Sequence, residues 1–231
     1  MHVKSLRRIV LMVVAMVASS LSLVAVSTAP AHAAVDTVAR LKASTTAVTY
    51  GSSVSFTGQV DAPGTCTACQ PGKVRLQRKF PGATTWSTIS ERELADDTTP
   101  NWSMAPSRTA YYRLYFLGYA DLANPSYSSL VKVSVRRKIT SAANQSTFVY
   151  YGKVTPSYGK RTVVIRKSTC ANPQTGPCSW TTYKNITTTS TGAYSVKLPA
   201  YARRTHFRAM VTGSNGYLGN TASLIVTTYR Y

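Results

Sequence analysis

Beyond residue 33 no stretch of the chain sustains the roughly 3.6-residue period of an amphipathic helix. Short runs alternate apolar and polar residues instead, as in Val54-Ser55-Phe56-Thr57, Val74-Arg75-Leu76-Gln77 and Val131-Lys132-Val133-Ser134-Val135. A period of two sends successive side chains to opposite faces, which is the mark of a half-buried strand. Clusters of Gly, Pro, Asn and Ser separate the runs. Many short strands with frequent turn signals predict an all-β chain of antiparallel sandwiches.

The strands repeat. Tyr112-Arg113, four residues and Gly118 match Phe207-Arg208, four residues and Gly213. Trp86 matches Trp180, and Trp102-Ser103-Met104 matches Tyr194-Ser195-Val196. Gly72-Lys73 leads into a strand ending in Arg78-Lys79, and Gly159-Lys160 leads into one ending in Arg166-Lys167. One extra residue after Gly159-Lys160 leaves the register of residues 162–167 open. The copies run from 35 to 135 and from 136 to 231, each of a size suited to a seven-stranded sandwich. Val135-Arg136-Arg137-Lys138 joins them without Gly or Pro, so a short, stiff connection is expected.

These motifs resemble the bacterial Ig-like modules that occur in tandem in secreted and cell-surface proteins. The resemblance rests on Val54–Val60, Lys73–Arg78, Trp86 and Tyr112–Gly118, and on Phe148–Val154, Lys160–Lys167, Trp180 and Phe207–Gly213. It implies two tandem Ig-like β-sandwiches. Of function it implies only a range of roles: spacer, adhesive unit or accessory module. Such modules usually accompany a catalytic or anchoring domain, and no other domain is legible in this sequence.

Residues 1–33 read as a signal peptide: Lys4, Arg7 and Arg8 precede an apolar run, and Ala31-His32-Ala33 ends it. Cleavage after Ala33 is expected, with a membrane anchor as the alternative. The protein is therefore expected outside the cell or at its surface, with no transmembrane span after cleavage. Cys66, Cys69, Cys170 and Cys178 form an even set, which implies disulfides in an exported chain. Each pair falls in an insertion that the other copy lacks, so the pairing Cys66–Cys69 and Cys170–Cys178 is expected. A redox Cys-x-x-Cys and a four-cysteine zinc site are the alternatives, and neither has its usual context.

Catalytic chemistry has little to draw on. His206 is the one histidine after residue 33, and no acidic residue follows Asp121 to complete a triad with it. Glu91, Glu93, Asp96 and Asp97 could serve a glycosidase or bind calcium, but such a stretch reads first as a solvated loop. No enzyme activity, cofactor or metal is expected.

Charge carries the functional expectation. The chain holds 27 Lys+Arg against 7 Asp+Glu, a net +20. All the acids precede residue 122, so residues 136–231 are basic without any acidic counterweight. Arg136, Arg137, Lys138, Lys160, Arg161, Arg166, Lys167, Arg203, Arg204 and Arg208 are the candidates for polyanion contact. A non-catalytic binding or structural protein with affinity for anionic cell-wall polymers or polysaccharides is expected. A nucleic acid is not expected as the selected ligand, since no recognition motif is present. The alternative is an extracellular protein-binding or inhibitor module acting through its disulfide-stapled loops.

Overall fold

The structure is a computed structural model, and it describes residues 34–61, 72–94, 99–120, 122–156 and 158–230. The predicted signal peptide, Cys66, Cys69, Asp96, Asp97 and Asp121 lie outside the described residues. The described chain is all-β, with strands in two successive groups. The first comprises β1 Val38–Ala43, β2 Ala47–Thr49, β3 Val54–Asp61, β4 Gly72–Lys79, β5 Ser87–Leu94, β6 Asn101–Met104, β7 Ala110–Phe116, β8 Ser126–Tyr127 and β9 Val131–Arg136. The second comprises β10 Lys138–Asn144, β11 Val149–Thr155, β12 Thr162–Ser168, β13 Thr181–Thr187, β14 Ala193–Lys197, β15 Thr205–Val211, β16 Asn220–Thr221 and β17 Val226–Thr228.

In the first group the sheet β1-β3-β6 faces the sheet β2-β9-β7-β4-β5, with β8 also on β7. In the second, β10-β11-β14 faces β13-β12-β15-β16, with β17 also on β15. All pairings are antiparallel except β2 with β9. This is the Ig-like strand order, in which the chain crosses from one sheet to the other between β3 and β4 and again between β11 and β12. Two separate apolar clusters fill the spaces between sheets. Phe56, Val74, Leu76, Tyr112, Leu114 and Phe116 anchor one, and Tyr150, Val163, Ile165, Phe207 and Ala209 anchor the other. Alternation puts them there: β7 reads buried at Ala110, Tyr112, Leu114 and Phe116 and half-exposed between.

The pairings fix the repeat that the sequence left open. A bulge follows Leu76 in one copy and Ile165 in the other, and Arg113 and Arg208 then face Gln77 and Arg166. Gln77, not Arg78, therefore corresponds to Arg166, and the Arg-Lys pairs are offset by one residue. Trp102 pairs with Phe56 but Tyr194 pairs with Gly152, so those two aromatics are offset by two, which preserves the face. Both still reach the strand glycine. A Cβ on Gly58 would come within 3.2 Å of the Trp102 ring, and one on Gly152 within 2.6 Å of the Tyr194 Oη. The glycine of the repeated motif makes room for an aromatic ring from the neighbouring strand.

One residue, Arg137, separates β9 from β10, and it is fully buried. Its guanidinium lies 4.8 Å from the Tyr158 ring centre and 4.4 Å from that of Tyr217. It donates to the carbonyl of Pro156 and, at 3.2 Å, to that of Ser214. The loop carrying Tyr217 plugs into the first group. Leu218 N–H donates to Val135 O at 2.8 Å, Thr109 N–H to Gly216 O at 3.0 Å, and Tyr217 Oη to Ser107 O at 2.7 Å. Burying a cation costs several kcal/mol, which the carbonyl acceptors and the two aromatic faces offset. The cost shows in its acidity: burial holds the Arg137 pKa below the usual guanidinium value. Two sheet pairs are thus joined by an interlocked, hydrogen-bonded junction.

Candidate anion-binding site

The basic residues singled out from the sequence fall in three places. At the junction Arg136 and Lys138 are exposed, as is Lys160 before β12. Arg161 is half-buried, with its Nη1 3.4 Å from the Ser214 Oγ that Arg137 also approaches. Arg137 itself corrects the sequence reading. Fully buried between two tyrosines, it offers nothing to an external polymer and serves as the pin between the sheet pairs.

The second place is the outer face of β12 and β15. Arg166 and Arg208 sit directly across from each other. Arg208 stacks on Trp180 at 3.8 Å, while Arg166 donates to the Trp180 carbonyl and lies 3.9 Å from the Met210 sulfur. Burial lowers the Arg208 pKa, and the Arg166 charge lowers it further. The equivalent face of the first group explains the repeated Trp…aromatic-Arg motif. Arg113 stacks on Trp86 at 4.2 Å and donates Nε to the Gln77 side chain at 2.9 Å. The Trp is a platform for the Arg two strands away. His206 shares the second face, 7% exposed, with Nδ1 2.8 Å from Thr227 Oγ1. Its neighbours there are hydroxyls and cations, in keeping with a strand histidine facing a neighbour.

The third place is a groove of about 550 Å³ at one end of the second sheet pair. Lys167 and Arg203 bring two cations into it. Tyr201 forms part of its wall, with one side parallel to Phe207 and the Lys167 Nζ 5.2 Å over the ring. Hydroxyls supply the rest: Ser168 and Thr205 are almost fully buried, and Thr169, Ser179 and Thr181 line the opening. Thr205 Oγ1 donates to Arg203 O at 3.0 Å, and Arg230 N–H donates to Tyr201 O at 2.8 Å, fixing the loop that carries both. The Cys170–Cys178 disulfide, with Cα atoms 5.6 Å apart, closes the loop between β12 and β13. Thr169 and Ser179 flank that bond directly in sequence, so the disulfide holds both hydroxyls at the groove wall. Arg204 is exposed beside Arg203. Of the groove residues the sequence singled out only Lys167 and Arg203. The hydroxyls carried no motif, although two of them adjoin the cysteine pair.

Of the acidic cluster, the two described members, Glu91 and Glu93, are ion-paired. Glu91 accepts from Arg75 Nε at 2.6 Å and lies 3.6 Å from Lys73 Nζ, and Glu93 lies 3.7 Å from the same amine. The Arg75 hydrogen bond holds the Glu91 carboxyl below its ordinary range. Among the described residues no group of three or more His, Cys, Asp or Glu is placed to hold a metal ion, and no helix is long and apolar enough to cross a membrane.

No family model and no curated protein matches the chain. Solved structures do. The human OSCAR ligand-binding domain overlaps 84% of this chain and 98% of its own, with a TM-score of 0.31 and 13% identity. The chicken CNTN1 FN1-FN3 domains overlap 86% of this chain and 69% of their own, with a TM-score of 0.30 and 9% identity. The class 5 fimbriae chaperone CfaA overlaps 83% of this chain and 100% of its own, with a TM-score of 0.24 and 12% identity. These overlaps are loose, and the fold assignment rests on the strand order and pairings above.

Proposed function

We propose that the chain is an exported, non-catalytic binding or structural protein of two Ig-like sandwiches, working in the medium or at the cell surface. In this reading its second half holds anionic polymers. The observation that carries the proposal is the disposition of charge. Every ion pair among the described residues lies in the first sheet pair. The second half has no carboxylate to satisfy its cations, and Lys138, Lys160, Arg203 and Arg204 stand exposed. A surface of one sign attracts a polyanion and releases its counterions on contact. The Cys170–Cys178 bond supports an oxidising compartment.

The interlocked junction makes isolated halves a poor test, so the whole chain is used. Binding to heparin, teichoic acid and DNA is titrated against salt. Affinity is expected to fall by about 10³–10⁵ between roughly 50 and 200 mM salt for about 6–10 anionic contacts. Replacing Arg203 and Arg204 by Gln is expected to flatten that slope, and replacing Arg40 and Arg92 in the first half is not. Equal effects from both pairs would sink the proposal. Binding that resists salt and disappears when the Cys170–Cys178 loop is altered would favour the protein-binding alternative.

A further inference from the structure

The groove beside the disulfide adds chemistry that charge alone does not supply. We infer that it is a subsite for one acidic sugar unit, a pyranose bearing a carboxylate, within a longer anionic polysaccharide. The inference rests on the proposal that the second half binds anionic polymers, and it names the class.

Three features of the groove select that class. Lys167 and Arg203 demand negative charge, since the half has no carboxylate to meet them. Lys167 is not a free surface lysine: the Tyr201 ring lies 5.2 Å beneath its ammonium and keeps it in the groove. Next, the polar lining between the cations is hydroxyl. Ser168, Thr169, Ser179, Thr181 and Thr205 each donate and accept, which suits a ligand whose own groups are hydroxyls. Thr169 and Ser179 have no side-chain hydrogen bond to the described residues and are held in place by the adjoining disulfide. Finally, the groove is lined by one aromatic ring and by no side-chain amide. The Tyr201 ring lies parallel to that of Phe207 and carries the Lys167 ammonium 5.2 Å from its centre, so a ligand seated on it also meets a cation. No Asn or Gln lines the groove to read a base edge. The volume of about 550 Å³ is within the usual range for small-ligand sites, and the groove is open, so a chain can continue past the bound unit.

The test uses the full chain and a soluble tetragalacturonate, followed by calorimetry at fixed salt. A neutral oligosaccharide of the same length, polyphosphate and single-stranded DNA are the comparisons. Tetragalacturonate is expected to bind and the neutral oligosaccharide not to. Lys167→Gln is expected to weaken tetragalacturonate by about tenfold. The uncharged change Ser179→Ala with Thr181→Val is expected to weaken it by about threefold to tenfold and to leave polyphosphate binding unchanged. Opening the loop with Cys170→Ser and Cys178→Ser is expected to reproduce that selective loss in a chain whose circular dichroism is unaltered. If the hydroxyl and cysteine variants bind tetragalacturonate as the parent does, the groove is not a sugar subsite, while salt-dependent polyphosphate binding leaves the broader proposal standing. If polyphosphate and DNA also fail to bind, the broader proposal fails with it.

Discussion

The two sheet pairs share a strand order and differ in how they accommodate cations. In the first, carboxylates meet some of them and aromatic rings others: Arg40 lies 2.6 Å from Asp61, Lys73 and Arg75 converge on Glu91, and Arg108 and Arg113 lie over Phe80 and Trp86. In the second, no acidic side chain exists, so its buried and half-buried cations lean on rings and carbonyls. Arg208 lies on Trp180, Lys167 over Tyr201, and Arg137 between Tyr158 and Tyr217. Exposed ion pairs contribute little to stability, so their absence does not weaken the second fold. It changes the surface, which keeps its positive charge instead of cancelling it. One scaffold thus carries a nearly balanced face and an unbalanced one.

The place where that difference is most exposed to mutation is Arg137, which both halves need. Removing it leaves the carbonyls of Pro156 and Ser214 without their donor and a gap between two tyrosines. Arg137→Ala is expected to cost about 3 kcal/mol and to loosen the angle between the sheet pairs. Urea unfolding reads the first effect and small-angle scattering the second. Arg137→Lys is expected to recover only part of either, because an ammonium cannot reach two carbonyls and stack on two rings at once. A silent Arg137→Ala would mean that the loop at Ser214–Asn220 holds the junction without it.

How much of this was legible in the sequence follows from which interactions have a period. The strand faces were readable, because burial of Tyr112, Leu114 and Phe116 imposes alternation. The Trp86–Arg113 and Trp180–Arg208 pairs were readable as a spacing, though not as a stack, because both partners recur in each copy. Bulges have no residue signature here, so the offset of Arg166-Lys167 against Arg78-Lys79 was not readable. Arg137 looked like part of a basic run because a buried cation and a surface cation have the same letter. What distinguishes them is Tyr217, 80 residues along, brought back by the fold. The groove was hidden for a related reason: Ser168, Ser179 and Thr205 are ordinary strand and turn residues until the sheets place them together.

Alkaline pH probes the buried tyrosines of both halves, Tyr194 above all. Burial raises the Tyr194 pKa, and neighbouring Tyr150 adds to the rise. Burial likewise raises Tyr217 and Tyr112. An unfolded tyrosine ionises at about pH 10, while burial keeps Tyr194 protonated to higher pH in the folded chain. Above that pH the folded state binds more protons than the unfolded state, so stability is intact below it and falls as pH rises. Tyr194, the most strongly raised of them, contributes a slope of up to about 1.4 kcal/mol per pH unit once the unfolded chain ionises. Tyr194→Phe is expected to flatten the decline seen in denaturant midpoints between about pH 9.5 and 11.5. An unchanged decline would place the sensitivity in the other tyrosines.

A smaller test swaps roles in the two cores. Phe56 and Tyr112 line one core, and the second has the tyrosine on the other sheet, as Tyr150 with Phe207. The Tyr112 hydroxyl is buried without a hydrogen-bond partner, whereas Tyr150 Oη accepts from Ala209 N–H at 3.2 Å and lies 3.2 Å from Ser141 Oγ. Tyr112→Phe is therefore expected to be neutral or to stabilise by up to about 1 kcal/mol, and Tyr150→Phe to cost about 1–2 kcal/mol. Equal costs in thermal melts would show that the two hydroxyls are satisfied alike.

The smallest effects are expected where the copies differ by one side chain at one register position. Gln77 faces Arg113 and accepts its Nε, but Arg166 faces Arg208 with a second positive charge. The Arg166 and Arg208 Nε groups are both buried and without an acceptor. Arg166→Gln would give Arg208 the acceptor that Arg113 has and remove the repulsion. It would also forfeit the contact to the Trp180 carbonyl, so the net gain is expected to be under about 1 kcal/mol. The converse, Gln77→Arg, is expected to destabilise by a similar amount, since Arg113 loses its acceptor and gains a like charge. Salt separates the two contributions: screening weakens repulsion but not a lost hydrogen bond. The Arg166→Gln gain should therefore shrink between about 0.05 and 0.5 M salt, and part of the Gln77→Arg cost should remain. If Arg166→Gln destabilises at every salt concentration, the paired guanidiniums are structural through Trp180, and polymer contact falls to the exposed cations of the second half, Lys138, Lys160, Arg203 and Arg204 among them.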